Sequence, residues 1–266
     1  MNYYICKKDS GVIEAIPIAS ALRTNLHEGP GYYDSISNTL YFTRNAHMHQ
    51  GNLDYEKLSN LKIYSSKYNN GNWGNIKELS FNHELYSNGH PTGIPGKSFL
   101  IYSNNSTEGQ GEADLYLIRK SKDGWSEPQS LGNEINTQGY ELFPYLLDDS
   151  TLYFASNGHN GLGGLDIFKA KLKNGKASNI QNMGQGFNSP HDDFGLVYTN
   201  HLATEGYFSS DRKTSIGGSD IYSFHQSYLP IIIEVRGTSV YILKQKNGQL
   251  FSSNNSINFT TDDYGI

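Results

Sequence analysis

The chain holds a single cysteine, Cys6, among its 266 residues. That excludes an internal disulfide framework and a cysteine-built zinc cluster, and Cys6 itself reads as a small buried strand residue. Long apolar runs are also missing. Stretches such as Ile231-Ile232-Ile233 fall far short of the roughly 18 residues a spanning helix needs, so no transmembrane segment is expected. The start Met1-Asn2-Tyr3-Tyr4-Ile5 lacks the basic-then-apolar order of an export signal. There is no surplus of positive charge: 21 Lys and Arg stand against 26 Asp and Glu, a net charge of −5. With no basic field to hold a phosphate backbone, nucleic acid is excluded as a partner. What the chain has in quantity is 20 Tyr, 12 Phe and 28 Gly, the mixture of many short aromatic strands joined by tight turns, which points to an all-β fold.

An internal repeat organises those strands. An apolar residue followed by an aromatic recurs at Ile63-Tyr64, Leu115-Tyr116, Ile167-Phe168 and Ile221-Tyr222, spaced by 52, 52 and 54 residues. Each doublet follows another aromatic strand, at Leu40-Tyr41-Phe42, Leu100-Ile101-Tyr102, Leu152-Tyr153-Phe154 and Gly206-Tyr207-Phe208; the first copy carries an eight-residue insertion between the two. Nine residues beyond the doublet come Trp73, Trp125 and Ala177, then Leu79, Leu131 and Met183, and a turn closes each unit at Phe81-Asn82, Ile135-Asn136 and Phe187-Asn188. A new strand enters through Phe143-Pro144 or Phe194-Gly195. A four-stranded meander of about 50 residues is the size of a propeller blade. Strands such as Asp114 to Ile118 and Asp166 to Ala170 are apolar on both faces, so both faces must be covered, which stacking blades around an axis achieves.

The expected fold is therefore an all-β propeller of four-stranded blades, five in number, with four or six as alternatives. It occupies 1–228, with units at about 1–25 (partial), 26–82, 83–136, 137–188 and 189–228. Residues 3–25 read as the last two strands of a blade, because Ile5 precedes Asn25 by 20 residues, as Tyr116 precedes Asn136. The tail 229–266 either completes the ring or starts another small β domain.

The repeat resembles the WD40-like propeller repeats of envelope proteins from Bacteroidetes-type bacteria over roughly residues 25 to 225. The matching segments include His27-Glu-Gly-Pro30, Leu40 to Asn45, Trp125 to Gly132, Leu152 to His159, Gly163 to Phe168, and Asp192-Asp-Phe-Gly195 with Gly206 to Asp211. In that family the propeller is flanked by tetratricopeptide repeats, a carboxypeptidase-regulatory-like β domain and a peptidoglycan-binding OmpA-like domain, and some members belong to type IX secretion. The resemblance implies a periplasmic or outer-membrane-associated protein. On that resemblance the tail from Leu229 is at most the first strands of the regulatory-like domain, with ring closure as its alternative role, and any cell-wall contact is made through a domain absent here.

Little in the sequence carries chemistry. The acidic residue ahead of the doublet, at Asp114, Asp166 and Asp220 with Lys62 in the first copy, follows glycine-rich turns whose N–H groups a carboxylate can accept; calcium would want more converging oxygens. His47 and His49 lie two apart in a polar insertion, and His90, His159 and His191 recur near turns, where turn packing accounts for them. Glu141 with Asp192 or Asp193 recurs at equivalent blade positions, which suggests a role inside the repeat. Ser121-Lys-Asp123-Gly124-Trp125 resembles the Asp-box turn of sialidase propellers, but no pair of carboxylates poised across a sugar can be chosen.

No catalytic, cofactor or metal residue is assigned. The leading expectation is a non-enzymatic interaction scaffold of the cell envelope. It would bind an envelope protein partner through Arg44, His47, His49, His159 and Arg212, with Asp114, Asp166, Asp220, Trp73 and Trp125 as structural repeat positions. The alternative is a carbohydrate-binding or glycan-hydrolysing propeller using exposed Tyr and Trp faces.

Overall fold

Each apolar-aromatic doublet falls on the third strand of an antiparallel sheet. The computed structural model describes strands at 4–9 and 12–17, Leu22, residues 27–45, 60–200, 202–215 and 217–226, and strands at 230–235, 238–243, 247–252 and 255–260. No α-helix occurs among the described residues, and no helix is long and apolar enough to cross a membrane.

In chain order, β1 (Tyr4–Asp9) and β2 (Val12–Pro17) form a hairpin. The first blade is β3 (Glu28–Asp34), β4 (Thr39–Asn45), β5 (Leu61–Asn69) and β6 (Asn72–Glu78), paired in that order. The second is β7 (Asn88–Thr92), β8 (Phe99–Asn104), β9 (Asp114–Ser121), β10 (Gly124–Trp125) and β11 (Gln129–Ser130), the last two both pairing with β9. The third is β12 (Glu141–Asp148), β13 (Thr151–Ser156), β14 (Asp166–Lys173) and β15 (Lys176–Asn182). The fourth is β16 (Asp193–Tyr198), β17 (Glu205–Ser210) and β18 (Asp220–His225). β19 (Pro230–Val235) pairs with β20 (Thr238–Leu243), and β21 (Asn247–Ser252) with β22 (Asn255–Thr260).

The four sheets stand in a ring as a four-bladed β-propeller. Four was the alternative count, and the five favoured by spacing is corrected. The spacing argument joined N- and C-terminal strands in one sheet, but β1–β2, β19–β20 and β21–β22 are separate two-stranded sheets, none hydrogen-bonded into a blade.

The core lies between blades. Ile63 and Tyr41 of the first blade pack with Leu100, Tyr102 and Ile118 of the second; Ile101 and Leu115 pack with Leu152 and Phe154 of the third; Tyr153 and Ile167 pack with Leu196 and Phe208 of the fourth. This is why the strands do not alternate: both faces are interior. The doublet position registers its neighbour directly, since Ile63, Leu115 and Ile167 are 0%, 0% and 1% exposed whereas Ile221, on the last blade, is 75% exposed. The turn asparagines fasten these positions. The Asn136 carboxamide accepts from Leu115 N at 2.9 Å and donates to Leu115 O at 3.1 Å, a side chain pairing as a strand would. Asn188 does the same at Ile167 and Asn82 at Ile63.

Candidate functional site

The first strand of every blade is interrupted at one register. Pairing slips between Glu28 and Gly31 in β3, Gly89 and Thr92 in β7, Leu142 and Tyr145 in β12, and Phe194 and Val197 in β16. Such bulges bend a strand and re-aim its side chains. At the third position of the motif stand Pro30, His90, Phe143 and Gly195; the last three have φ of 54°, 50° and 67°. For the bulky His90 and Phe143 this left-handed geometry stores strain on the order of 1 kcal/mol or more each.

The four bulges surround a cavity of about 550 Å³ on the propeller axis, walled by all four first strands. That volume is in the range of small-molecule sites. Its apolar wall holds a stack across three blades: His90 lies on Phe143 at 4.2 Å and 16°, and Phe143 meets Phe194 at 4.7 Å and 31°. Tyr32, Tyr145 and Tyr198 add further rings. Among the described residues, none that lines it is Asp, Glu, Lys or Arg.

One polar atom on this wall, and one sealed behind it, are left without partners among the described residues. His90 Nδ1 accepts the Phe143 N–H at 3.2 Å, which puts the proton of the neutral ring on Nε2; burial pushes the His90 pKa down to about 4. Nε2 has no partner among the described residues. The Tyr32 hydroxyl is buried with no hydrogen bond, and burial raises its pKa. Orphaned polar groups of this kind carry a cost that a bound ligand or water relieves.

The residues singled out from sequence sit elsewhere. Arg44 lies near the end of β4, and His159 and Arg212 lie just beyond β13 and β17; each packs on the aromatic residues of its own sheet and bonds a backbone carbonyl outside it. Arg44 covers Phe42 and Tyr64 at 4.9 and 5.6 Å and donates to Leu22 O. His159 packs on Phe154 and Phe168 at 5.7 and 5.2 Å, its Nε2 donating to Ile135 O at 2.9 Å. Arg212 covers Phe208 and Tyr222 at 4.9 and 5.0 Å and donates to Phe187 O at 2.8 Å and Asp193 Oδ1 at 2.6 Å. These side chains are engaged within the protein, holding aromatic rings and backbone carbonyls. His47 and His49 lie outside the described residues.

Asp166 accepts the N–H groups of Leu162 and Gly163, and Asp114 that of Gln110. Asp220 is half-buried, facing Ser210 across β17. In the first copy, Lys62 is buried and paired with Glu78 and Glu84 at 3.0 and 2.5 Å. Trp73 packs on Tyr33 and Tyr68, and Trp125 meets Tyr41 and Phe81 of the preceding unit edge-on. Glu141 and Asp193 are both 0% exposed and hold the incoming turn: Glu141 accepts from Thr137 and Ser156, and Asp193 from Ser189 and Arg212. Asp192 accepts the Leu165 N–H at 2.7 Å. No group of three or more metal-ligating side chains occurs among the described residues.

Sequence reasoning placed His90 among the turn histidines and so missed the axial site. The signal that reveals it is the alignment of Glu28-Gly-Pro, Asn88-Gly-His, Glu141-Leu-Phe and Asp193-Phe-Gly as one motif at the start of each unit.

No family model matches the chain, and no curated protein matches it. Among solved structures it is similar to an α-L-arabinofuranosidase from Lactobacillus brevis, at 10% identity over 72% of this chain and 68% of that one, TM-score 0.44. It is also similar to a GH43 β-1,3-galactosidase, at 8% identity over 86% and 81%, TM-score 0.47. A puromycin-hydrolysing peptidase of Mycobacterium tuberculosis matches at 11% over 92% of this chain, TM-score 0.43, and the chain spans about a third of its length (35%). These proteins are named as enzymes. The expectations of a non-enzymatic scaffold and of a chain without enzymatic activity are corrected accordingly. At such identities any active residue has to be argued from this chain's own cavity.

Proposed function

We propose that this chain is a carbohydrate-active propeller that takes a sugar ring into the axial cavity. The observation that carries the reading is the aromatic wall His90–Phe143–Phe194 facing into about 550 Å³ of space, with the His90 Nε2–H donor unpartnered among the described residues. A sugar presents apolar C–H faces and a rim of hydroxyls, so flat rings with a few fixed polar atoms suit it. Desolvation of the rings drives binding, and the polar atoms set orientation. Hydrolysis by the usual route needs two carboxylates about the scissile bond; the cavity wall supplies recognition, and turnover is read separately. The likeness of the repeats to envelope propellers supports a place in the periplasm or at the periplasmic face of the outer membrane.

The test is titration of the full chain with a panel of mono- and oligosaccharides, beside a hydrolysis screen on aryl glycosides. The expected result is saturable binding that Phe194→Ala weakens by roughly tenfold, the loss of one well-packed aromatic contact. Folded protein that binds and turns over no sugar in the panel would overturn the reading.

A further inference from the structure

The lining of the axial cavity has a property that narrows the ligand further. No side chain among its described lining residues is Asp, Glu, Lys or Arg. His90, the histidine among them, has its Nδ1 committed to a backbone N–H, leaving a neutral ring with a single donor. Burial, and after it the charge of the carboxylate Asp34, raises the pKa values of Tyr32 and Tyr41. Asp34 itself stays ionised, since hydrogen bonds from Ser37, Gly96 and Ile36 hold its pKa below the usual range despite burial. An anion entering the cavity would lose hydration, find no cation to pair with, and feel the field of Asp34, a combination that disfavours it strongly.

We infer that the axial cavity selects uncharged sugars over acidic ones, with His90 Nε2–H as the group that meets a ligand oxygen. The inference rests on the sugar-site reading and deepens it. A neutral hexose or pentose satisfies this donor with a hydroxyl or ring oxygen and brings no charge to desolvate. A uronic acid, a sialic acid or a sugar phosphate of the same ring size brings the same C–H face with an uncompensated negative charge. The discrimination is therefore electrostatic, and the rings alone would not provide it.

The experiment pairs ligands that differ in charge alone. The full chain is titrated at pH 7 and low salt with methyl glucoside against methyl glucuronide, and methyl galactoside against methyl galacturonide, for wild type, Tyr32→Phe and His90→Phe. The expected result is that the neutral member of at least one pair binds and its acid binds at least about tenfold more weakly. Tyr32→Phe serves as the control: the hydroxyl it removes is sealed from the cavity and unpartnered, so neutral-sugar affinity should be unchanged and the unfolding midpoint equal to or above that of wild type. His90→Phe keeps the stack and should weaken the neutral ligand severalfold. Equal or tighter binding of the acids, or neutral binding indifferent to His90→Phe, would overturn this inference while leaving a sugar site in place. Binding of neither member of either pair would overturn it together with the reading it rests on. As a check independent of any sugar, ring nitrogen shifts should show His90 with its proton on Nε2 at pH 6; a proton on Nδ1, or a charged ring, would also overturn the inference.

Discussion

Phe143 donates its backbone N–H to Nδ1 of His90 at 3.2 Å while its ring lies on the imidazole at 4.2 Å. One neighbour thus fixes both the plane and the tautomer of the histidine, and does so across the junction of two blades. The imidazole is held neutral at the axis by packing rather than by a charged partner.

That burial couples stability to pH. His90 has a folded pKa of about 4, against about 6.5 in an unfolded chain. Between these values the unfolded state binds a proton that the folded state refuses, so stability is full above pH 6.5 and falls as pH is lowered toward 4. Urea midpoints at pH 7 and 4.5 should give wild type a loss larger than that of His90→Phe by on the order of 2 kcal/mol. Equal losses in the two proteins would contradict the assignment.

The clamp at Arg212 answers to charge and shape together. Truncation to alanine leaves Asp193, 0% exposed, without its guanidinium and uncovers Phe208 and Tyr222. The expected destabilisation is about 3 kcal/mol. Arg212→Lys should recover less than half of it, because an ammonium can replace Nη2 at Phe187 O and Asp193 but not the Nε bond to Ser210 Oγ at 2.9 Å or the planar cover of Phe208 and Tyr222. Equilibrium unfolding of the three proteins decides.

The asparagine that closes a unit should tolerate no isostere. Asn136→Asp keeps an acceptor for Leu115 N but loses the donor to Leu115 O, and sets a charge at a position 2% exposed. A loss of roughly 2 to 4 kcal/mol at pH 7 is expected, and protonation of the new carboxyl should restore part of it near pH 4. Thermal melts across pH test both halves of the statement.

A repeat position need not weigh the same in each copy. Ile167→Ala should cost about 2 to 4 kcal/mol, because the side chain is enclosed by the fourth blade. Ile221→Ala, at 75% exposure, should stay within about 0.5 kcal/mol. Comparable urea midpoint shifts for the two would show that Ile221 is covered in solution.

How much of this could be read from residues alone follows from what each strand has to bury. The third strands were legible because Ile63, Leu115 and Ile167 face one neighbour and their aromatic partners another, which forces the same two residue types at every copy. The first strands were not. Their bulge position takes Pro30, His90, Phe143 and Gly195 in turn, with no shared chemistry for a pattern search to find, although the backbone there does the same thing in each blade. His90 and His159 look alike as loop histidines, yet one faces the axial space and the other is sealed on Phe154 beneath the carbonyl of Ile135. The blade count failed for a related reason. A spacing of twenty residues between Ile5 and Asn25 matches the interior units, but spacing says nothing about which edge a hairpin joins, and β1–β2 pairs only with itself.

The slipped register of the first strands separates the frame of the molecule from its lining. Residues before and after the slip are bound into the ladder and the inter-blade packing, so changing them disturbs the whole ring. The side chain at the slip stands outside the ladder and meets its counterparts around the axis, as His90 meets Phe143, which is how four such different side chains came to occupy it. Descendants of this protein could therefore exchange one ligand for another by single replacements at four known addresses, without rebuilding anything that keeps the ring folded.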